Sequence, residues 1–422
     1  MKPLDMKELN AASEFTSVSA RLPRKIDPRA LKATLLLVAS LTIMSGATIS
    51  PSLPEMERQF ADTPNAALMT RFALTLPALL VAIFAPLAGG LADRYGRKRL
   101  LACSILLFAF AGMSGLFLDT LGGILTGRAF LGVAVAGVMT ATTALVGDYF
   151  AGEERDRYMG LQMAFTGFGG LVFLSGGGFL ADFHWRAPFA VYALAFVILP
   201  AAMLFLYEPS VAKQQNGSTD KKRDRGLFTL PIVALFIVGF INSAAFYLIP
   251  TQLPFFLRTL GIETPSSVGM AMGLFTLCQA VMALGYGRLR GKGLTIPALF
   301  GIGFAFMAIG LFMIGGAASY SAVLVAIGIT GVGMGMVMPN LMAGALSNAT
   351  PAMRGRVAGG MTASIFLGQF ISPLASQPII AVYDYATAYR VAGATLALVA
   401  ALAVVILMRE QSGIRPKRSL NG

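Results

Sequence analysis

The residues able to do chemistry in this sequence are few and widely spaced. Between two apolar stretches, Gly89-Gly90-Leu91-Ala92-Asp93-Arg94-Tyr95-Gly96-Arg97-Lys98-Arg99 gathers one acid, four bases and three glycines. The chemistry open to such a block is charge pairing. Arg128 stands alone inside another apolar stretch. A charge there costs about 2.5–3.5 kcal/mol on insertion scales, so it must face protein or water. Two roles fit it: a cavity charge, or a structural arginine bonded to backbone carbonyls. Bond-making chemistry has no candidates, for no histidine or acid cluster, nucleophile beside a base, or phosphate loop is visible. Gly331-x-Gly333-x-Gly335, inside an apolar stretch, is no nucleotide site. No enzyme activity, cofactor or metal is expected.

The elements that must position these residues follow from composition. The chain has 422 residues, 56% hydrophobic and 13% charged, against roughly 25% charged in soluble domains. Such a chain could not cover its own surface in water. Apolar stretches of roughly 20 residues match a hydrocarbon core of about 30 Å at 1.5 Å per residue. They predict twelve membrane spans near 32–53, 67–91, 100–118, 121–146, 158–181, 188–207, 228–257, 267–287, 294–316, 320–345, 357–382 and 388–408. The fold class is therefore an all-α polytopic membrane protein, embedded in a lipid bilayer.

The net charge of +13 is distributed by side. With the N-terminus in the cytoplasm, only Arg58, Arg71, Arg186, Arg258 and Arg390 fall on the outer side, and Arg128 lies inside a span. All other lysines and arginines fall in tails and loops of the inner side. The positive-inside rule then puts both termini in the cytoplasm, and the basic charge is a topology signal with no nucleic-acid partner implied. Residues 1–31 are too mixed in charge for a signal peptide and read as a cytoplasmic tail. Cys103 and Cys278 fall within spans, as small core residues.

The longest polar stretch between spans, residues 209–226, includes Gln214-Gln215-Asn216-Gly217-Ser218-Thr219-Asp220-Lys221-Lys222-Arg223 and reads as a linker. It separates a six-helix bundle over 32–208 from a second over 227–410, with a tail at 411–422. Repeated halves suit a transporter that rocks one bundle against the other around a midplane site. Pro77, Pro86, Pro250, Pro254, Pro339 and Pro373 lie within spans, where neighbouring helices can satisfy the freed carbonyls. Gly167, Gly169, Gly170 and Gly176 to Gly178 in span 5, with Gly331, Gly333 and Gly335 in span 10, would let helices approach closely.

The pattern Gly89-x-x-x-Asp93-Arg94-x-Gly96-Arg97-Lys98 resembles the loop signature of the major facilitator superfamily of secondary transporters, particularly its bacterial twelve-helix drug and metabolite exporters. The resemblance implies two six-helix bundles and a gate on the cytoplasmic side built from Gly89, Asp93, Arg94, Gly96, Arg97 and Lys98. Asp93 would face the start of span 11 near Arg356 and Val357, and Arg97 would reach Asp148. Leu125-Thr126-Gly127-Arg128-Ala129-Phe130-Leu131-Gly132 is similar to the family's second signature, whose arginine points inward. Span 5 follows the proton-coupled exporters' pattern only in part, with Phe173 and Leu174 where Gly-Pro belongs.

No acid lies in the middle of a span, and span 1 offers Ser45, Gly46 and Thr48 where many relatives hold one. Proton coupling thus rests on analogy, with Asp182, Asp119 or Glu55 as outer candidates. Beside Arg128, the cavity groups are neutral: Gln162, Asn242, Tyr247, Gln252, Gln279, Asn340 and Gln369. With many Phe and Met around them they suit lipophilic or amphiphilic solutes. The leading reading is a monomeric secondary transporter in a bacterial-type inner membrane, exporting such small molecules by proton antiport. A dedicated exporter of one metabolite (a sugar, amino acid or siderophore), a facilitator without ion coupling, and a non-transporting sensor are the alternatives.

Overall fold

The computed structural model describes residues 27–46, 48–209, 229–350 and 353–411. Most of the expected N-terminal tail, the linker beyond Pro209 and the C-terminal tail lie outside the described residues. Among the described residues, twelve helical segments are long and apolar enough to cross a membrane. Spans 1–6 are Pro28–Gln59, Ala66–Tyr95, Arg97–Leu116, Leu121–Tyr149, Gly152–Phe183 and Ala187–Phe205. Spans 7–12 are Leu230–Thr259, Pro265–Gly291, Ile296–Gly315, Tyr320–Ser347, Arg354–Val382 and Tyr385–Met408.

Local chemistry sets where they start. The Asp27 carboxylate accepts from the Arg29 amide at 2.9 Å, and the hydroxyls of Thr120, Thr295 and Ser319 cap spans 4, 9 and 10. Each cap satisfies an amide that the first turn leaves without a partner.

Span 1 departs from the sequence expectation. Its first helix stops at Ser45, a break follows at Gly46, and the chain resumes through a short 3-10 turn at Ser50–Ser52 into a helix at Leu53–Gln59. Glu55 and Glu57, expected in an outer loop, therefore ride on the extension of span 1. Arg71, counted with the loop charges, is buried near the start of span 2.

Two apolar cores organise the helices. One runs from Leu31 to Leu206 and takes in Tyr247 and Phe255; the other joins spans 7–12 and takes in Leu174. The bundles meet chiefly through spans 2 and 11 and spans 5 and 8. Phe72 stacks on Phe370 with centroids 5.4 Å apart. In span 5 Gly167, Gly170, Gly177 and Gly178 permit close approach as the spacing implied, a Cβ on Gly178 standing 2.9 Å from the Gly269 backbone, whereas Gly176 has nothing within 4 Å of a Cβ. Gly331 likewise sits against the Phe275 carbonyl of span 8.

The hydrogen bonds and ion pairs that cross between bundles, among the described residues, all lie in the half away from the Gly89–Arg99 loop. On the loop's own face, Asp93, Arg94, Arg354 and Arg356 are exposed, and nothing approaches Gly89 or Gly90. Among the described residues, the two bundles are thus bonded to each other at the face opposite the signature loop and not at the signature face.

Candidate transport cavity and gates

The shut face is built around Arg71. Its guanidinium is 1% exposed and donates to Gln252 Oε1 at 2.9 Å, Glu57 Oε2 at 2.6 Å and the Ala67 carbonyl at 2.5 Å. The Tyr385 hydroxyl accepts a fourth, longer bond at 3.4 Å, and the plane lies 3.8 Å over the Phe255 ring. Glu57 and Ala67 belong to the first bundle; Gln252, Phe255 and Tyr385 belong to the second. Gln252 in turn donates to Ser376 at 2.9 Å. A charge this deep persists only when paired and fully hydrogen-bonded, so Arg71 holds the two bundles to each other.

Three further contacts flank it: Arg258 pairs with Glu55 at 3.1 Å, Asp182 accepts from the Ser266 amide at 2.9 Å, and Ser50 donates to the Pro250 carbonyl. The last follows from span 7's own sequence. Pro254 has no N–H, so the Pro250 carbonyl lacks its helical partner and is free for Ser50. In the sequence Arg71 falls on the outer side near a span end, where a solvated arginine and a buried one read alike. Its signal was an arginine beginning an apolar run one helical turn after Ala67.

Arg128 is also fully buried, and its environment selects between the two roles the sequence left open. Nε donates to the Ala73 carbonyl at 2.6 Å, Nη1 to the Tyr192 hydroxyl at 2.7 Å and Nη2 to the Ser45 carbonyl at 3.0 Å. Both carbonyls are orphans of local sequence. Pro77 cannot donate to Ala73, and the break at Gly46 ends the helix that would have served Ser45. Arg128 thus stitches spans 1, 2, 4 and 6 together and, in this state, does not line the cavity as expected.

At the signature face, Arg97 pairs with Asp148, tying span 3 to span 4. Glu208, which sequence reading passed over as the end of span 6, completes this corner. Its carboxylate accepts the backbone amides of Arg97 at 2.7 Å and Lys98 at 2.8 Å, capping span 3, while Lys98 Nζ donates to the Met203 carbonyl. Gly96 has φ of +96°, and a Cβ there would stand 3.0 Å from the Glu208 carboxylate, so the turn needs glycine. Asp93 has neither an ion pair nor a hydrogen bond among the described residues, and Arg356 is exposed.

The neutral polar residues divide. Gln162, Gln279 and Gln369 are partly buried and make no side-chain hydrogen bond among the described residues. Tyr247 is nearly buried where the bundles meet, its hydroxyl 3.5 Å from where a Cβ on Gly46 would sit. Three others have partners of their own and depart from the cavity expectation. Gln252 serves the shut face; Asn340 bridges the Ile296 carbonyl and the Tyr286 hydroxyl; Asn242 is buried against the sulfurs of Met334 and Met338.

Comparison with known proteins agrees with this architecture. The family model described as Major Facilitator Superfamily matches residues 35–264 and 235–422. The puromycin resistance protein of Streptomyces alboniger is 31% identical over 180 residues, 40% of this chain and 35% of that protein. The class D tetracycline resistance protein of Salmonella ordonez is 26% identical over 261 residues, 59% of this chain and 65% of the relative. These alignments span less than two thirds of either relative. Among solved structures, a D-xylose–proton symporter superposes with a TM-score of 0.74 at 17% identity, covering 89% of this chain and 97% of its own. The chain is a multi-pass membrane protein of transporter fold and belongs to the major facilitator superfamily.

Proposed function

We propose that this protein exports small lipophilic or amphiphilic molecules by alternating access, driven by proton antiport, across a bacterial inner membrane. The observation that carries the reading is the pairing of a shut face, latched through Arg71, with a signature face at which no hydrogen bond or ion pair joins the bundles among the described residues. The excess of Lys and Arg in the tails and loops of the signature side supports its being cytoplasmic. This state would then take up solute from inside. Gln162, Gln279 and Gln369 on otherwise apolar walls suit solutes with large apolar surface and few polar groups. Sugars would need denser hydrogen bonding.

The similarity to drug-resistance proteins supports export. Glu57 anchors the latch on the first bundle's side. It is the carboxylate bonded to the buried Arg71, and opening that face must part Arg71 from Gln252 and Tyr385. A monomer suffices for this cycle.

The test is a susceptibility panel on cells lacking or overexpressing the protein, joined to proton flux in liposomes. Changed tolerance to several unrelated lipophilic compounds, with solute-dependent proton movement, is the expected result. A single accumulating compound would favour a dedicated exporter. Solute movement without proton flux would leave a facilitator, and no change in either assay would overturn the transport reading.

A further inference from the structure

We infer that the cavity prefers lipophilic anions and neutral solutes to lipophilic cations, and that the unpaired charge of Arg128 sets this preference. The inference rests on the transport reading and narrows its substrate class.

The charges buried along the bundle interface are paired unequally. Arg71 and Arg128 are the two fully buried cations there. Arg71 is neutralised by Glu57 at 2.6 Å. Arg258 is matched by Glu55 at 3.1 Å, and Arg97 by Asp148. Arg128 has no carboxylate partner among the described residues. Its three bonds all go to neutral oxygens, two carbonyls and one hydroxyl. Every acid that falls within a span among the described residues is four residues or fewer from the residue that ends it, whereas Arg128 is seven residues in from Leu121. A guanidinium does not lose its proton in a protein. Two helical turns in from the outer end of span 4, the first bundle therefore carries a fixed positive charge with no carboxylate partner among the described residues, screened little by the apolar surroundings.

That charge lies close to the path between the bundles. The Ser45 carbonyl that accepts from Arg128 is followed by Gly46, beside which the Tyr247 hydroxyl of span 7 stands. Among the described residues, that hydroxyl makes no hydrogen bond, so it is free to donate to an anion on the second bundle's side. Arg128 itself is 0% exposed, so it acts through its field and makes no contact with solute. An organic cation moving past this point meets repulsion with no acid to offset it. An anion of the same shape is attracted.

The experiment uses the purified full chain in lipid nanodiscs, with tetraphenylborate and tetraphenylphosphonium as probes. These ions share one shape and differ in the sign of their charge. Empty nanodiscs correct for partition into lipid. The wild type is expected to bind the borate at least tenfold more tightly. Arg128→Lys should keep that preference, whereas Arg128→Gln, which retains donors for the orphan carbonyls but removes the charge, should bring the two affinities within threefold. Glu57→Gln gives an independent check should Arg128→Gln fail to fold. It leaves Arg71 unpaired and should widen the preference for the borate.

Equal or tighter binding of the phosphonium by the wild type would overturn the inference. So would binding of neither ion, a preference surviving in Arg128→Gln, or an unchanged preference in Glu57→Gln. Transport plays no part in this readout. Borate binding by a protein that exports nothing would sink the exporter reading and leave the inference standing.

Discussion

Arg71 Nε donates to Gln252 Oε1 at 2.9 Å, a bond between residues 181 positions apart and on different bundles. It can persist only while that face is shut, because no rocking of one bundle against the other preserves it. Arg71 keeps Glu57 and Ala67, both on its own bundle, whichever way the molecule faces. The latch therefore opens without leaving the guanidinium bare.

Gln252→Ala should weaken this latch. The substitution removes the neutral acceptor of a buried charge, and hydrogen bonds to charged groups are worth about 1.5–3 kcal/mol. At 1.4 kcal/mol per decade, the population open at that face should rise about tenfold or more. Ser52→Cys supplies a reporter, since Ser52 is buried there and its hydroxyl has no partner. With Cys103 and Cys278 replaced by serine, labelling by a membrane-impermeant maleimide should accelerate accordingly. Unchanged labelling would mean that other contacts hold the face shut.

Asp93→Asn should act on the other conformation. In the structure Asp93 is exposed and unpaired among the described residues, so the state described here should lose nothing when its charge is removed. A carboxylate brought to the N-terminus of span 11 on closure would gain about 0.3–2 kcal/mol from the helix dipole. The expected outcome is an unchanged melting temperature together with slower transport and more of the open form. A fall in melting temperature without a transport defect would place the role of Asp93 in the state described here.

How much of this was legible in the sequence depends on distance along the chain. The spans were visible because apolar length alone sets them, and Arg97 with Asp148 because a family signature joins them across 51 positions. Arg71 was not visible, for burial depends on how Leu53–Gln59 folds back over span 2. That extension exists only because span 1 breaks at Gly46. Glu208 was hidden for a related reason. Nothing within six residues of it distinguishes a helix-capping acid from a solvated one, and the amides it caps lie 110 positions earlier. The cavity residues were sorted by polarity alone. Polarity cannot tell Gln162, whose side chain is partly buried without a hydrogen bond among the described residues, from Asn340, whose amide is consumed inside its own bundle.

The corner at span 3 gives a stability test. Glu208→Ala removes the acceptor of two first-turn amides, a loss of about 0.5–2 kcal/mol by analogy with N-caps. Gly96→Ala forces a side chain into a φ of +96° and against the same carboxylate, costing about 1 kcal/mol or more. Both variants should melt at lower temperature in detergent. Glu208→Gln, which keeps one acceptor oxygen, should recover part of the loss. Wild-type melting in both Glu208→Ala and Gly96→Ala would show the cap to be energetically idle.

Arg128 and Pro77 should be coupled, because the proline creates the vacancy that the arginine fills. Arg128→Met alone strands the Ala73 and Ser45 carbonyls and the Tyr192 hydroxyl in a dry interior. Each unsatisfied group costs about 1–3 kcal/mol, so the variant should be strongly destabilised. Pro77→Ala restores an N–H at the position where the Ala73 carbonyl would find its helical partner. In the Arg128→Met background it should therefore win back on the order of 1 kcal/mol, whereas in the wild type the new N–H competes with a guanidinium already in place. The measurement is a double-mutant cycle on thermal unfolding, where residues in one hydrogen-bond network show interaction energies of about 0.5–3 kcal/mol. Strict additivity would mean that span 2 relaxes around Ala73 without help, and that Arg128 is held chiefly by Ser45 and Tyr192.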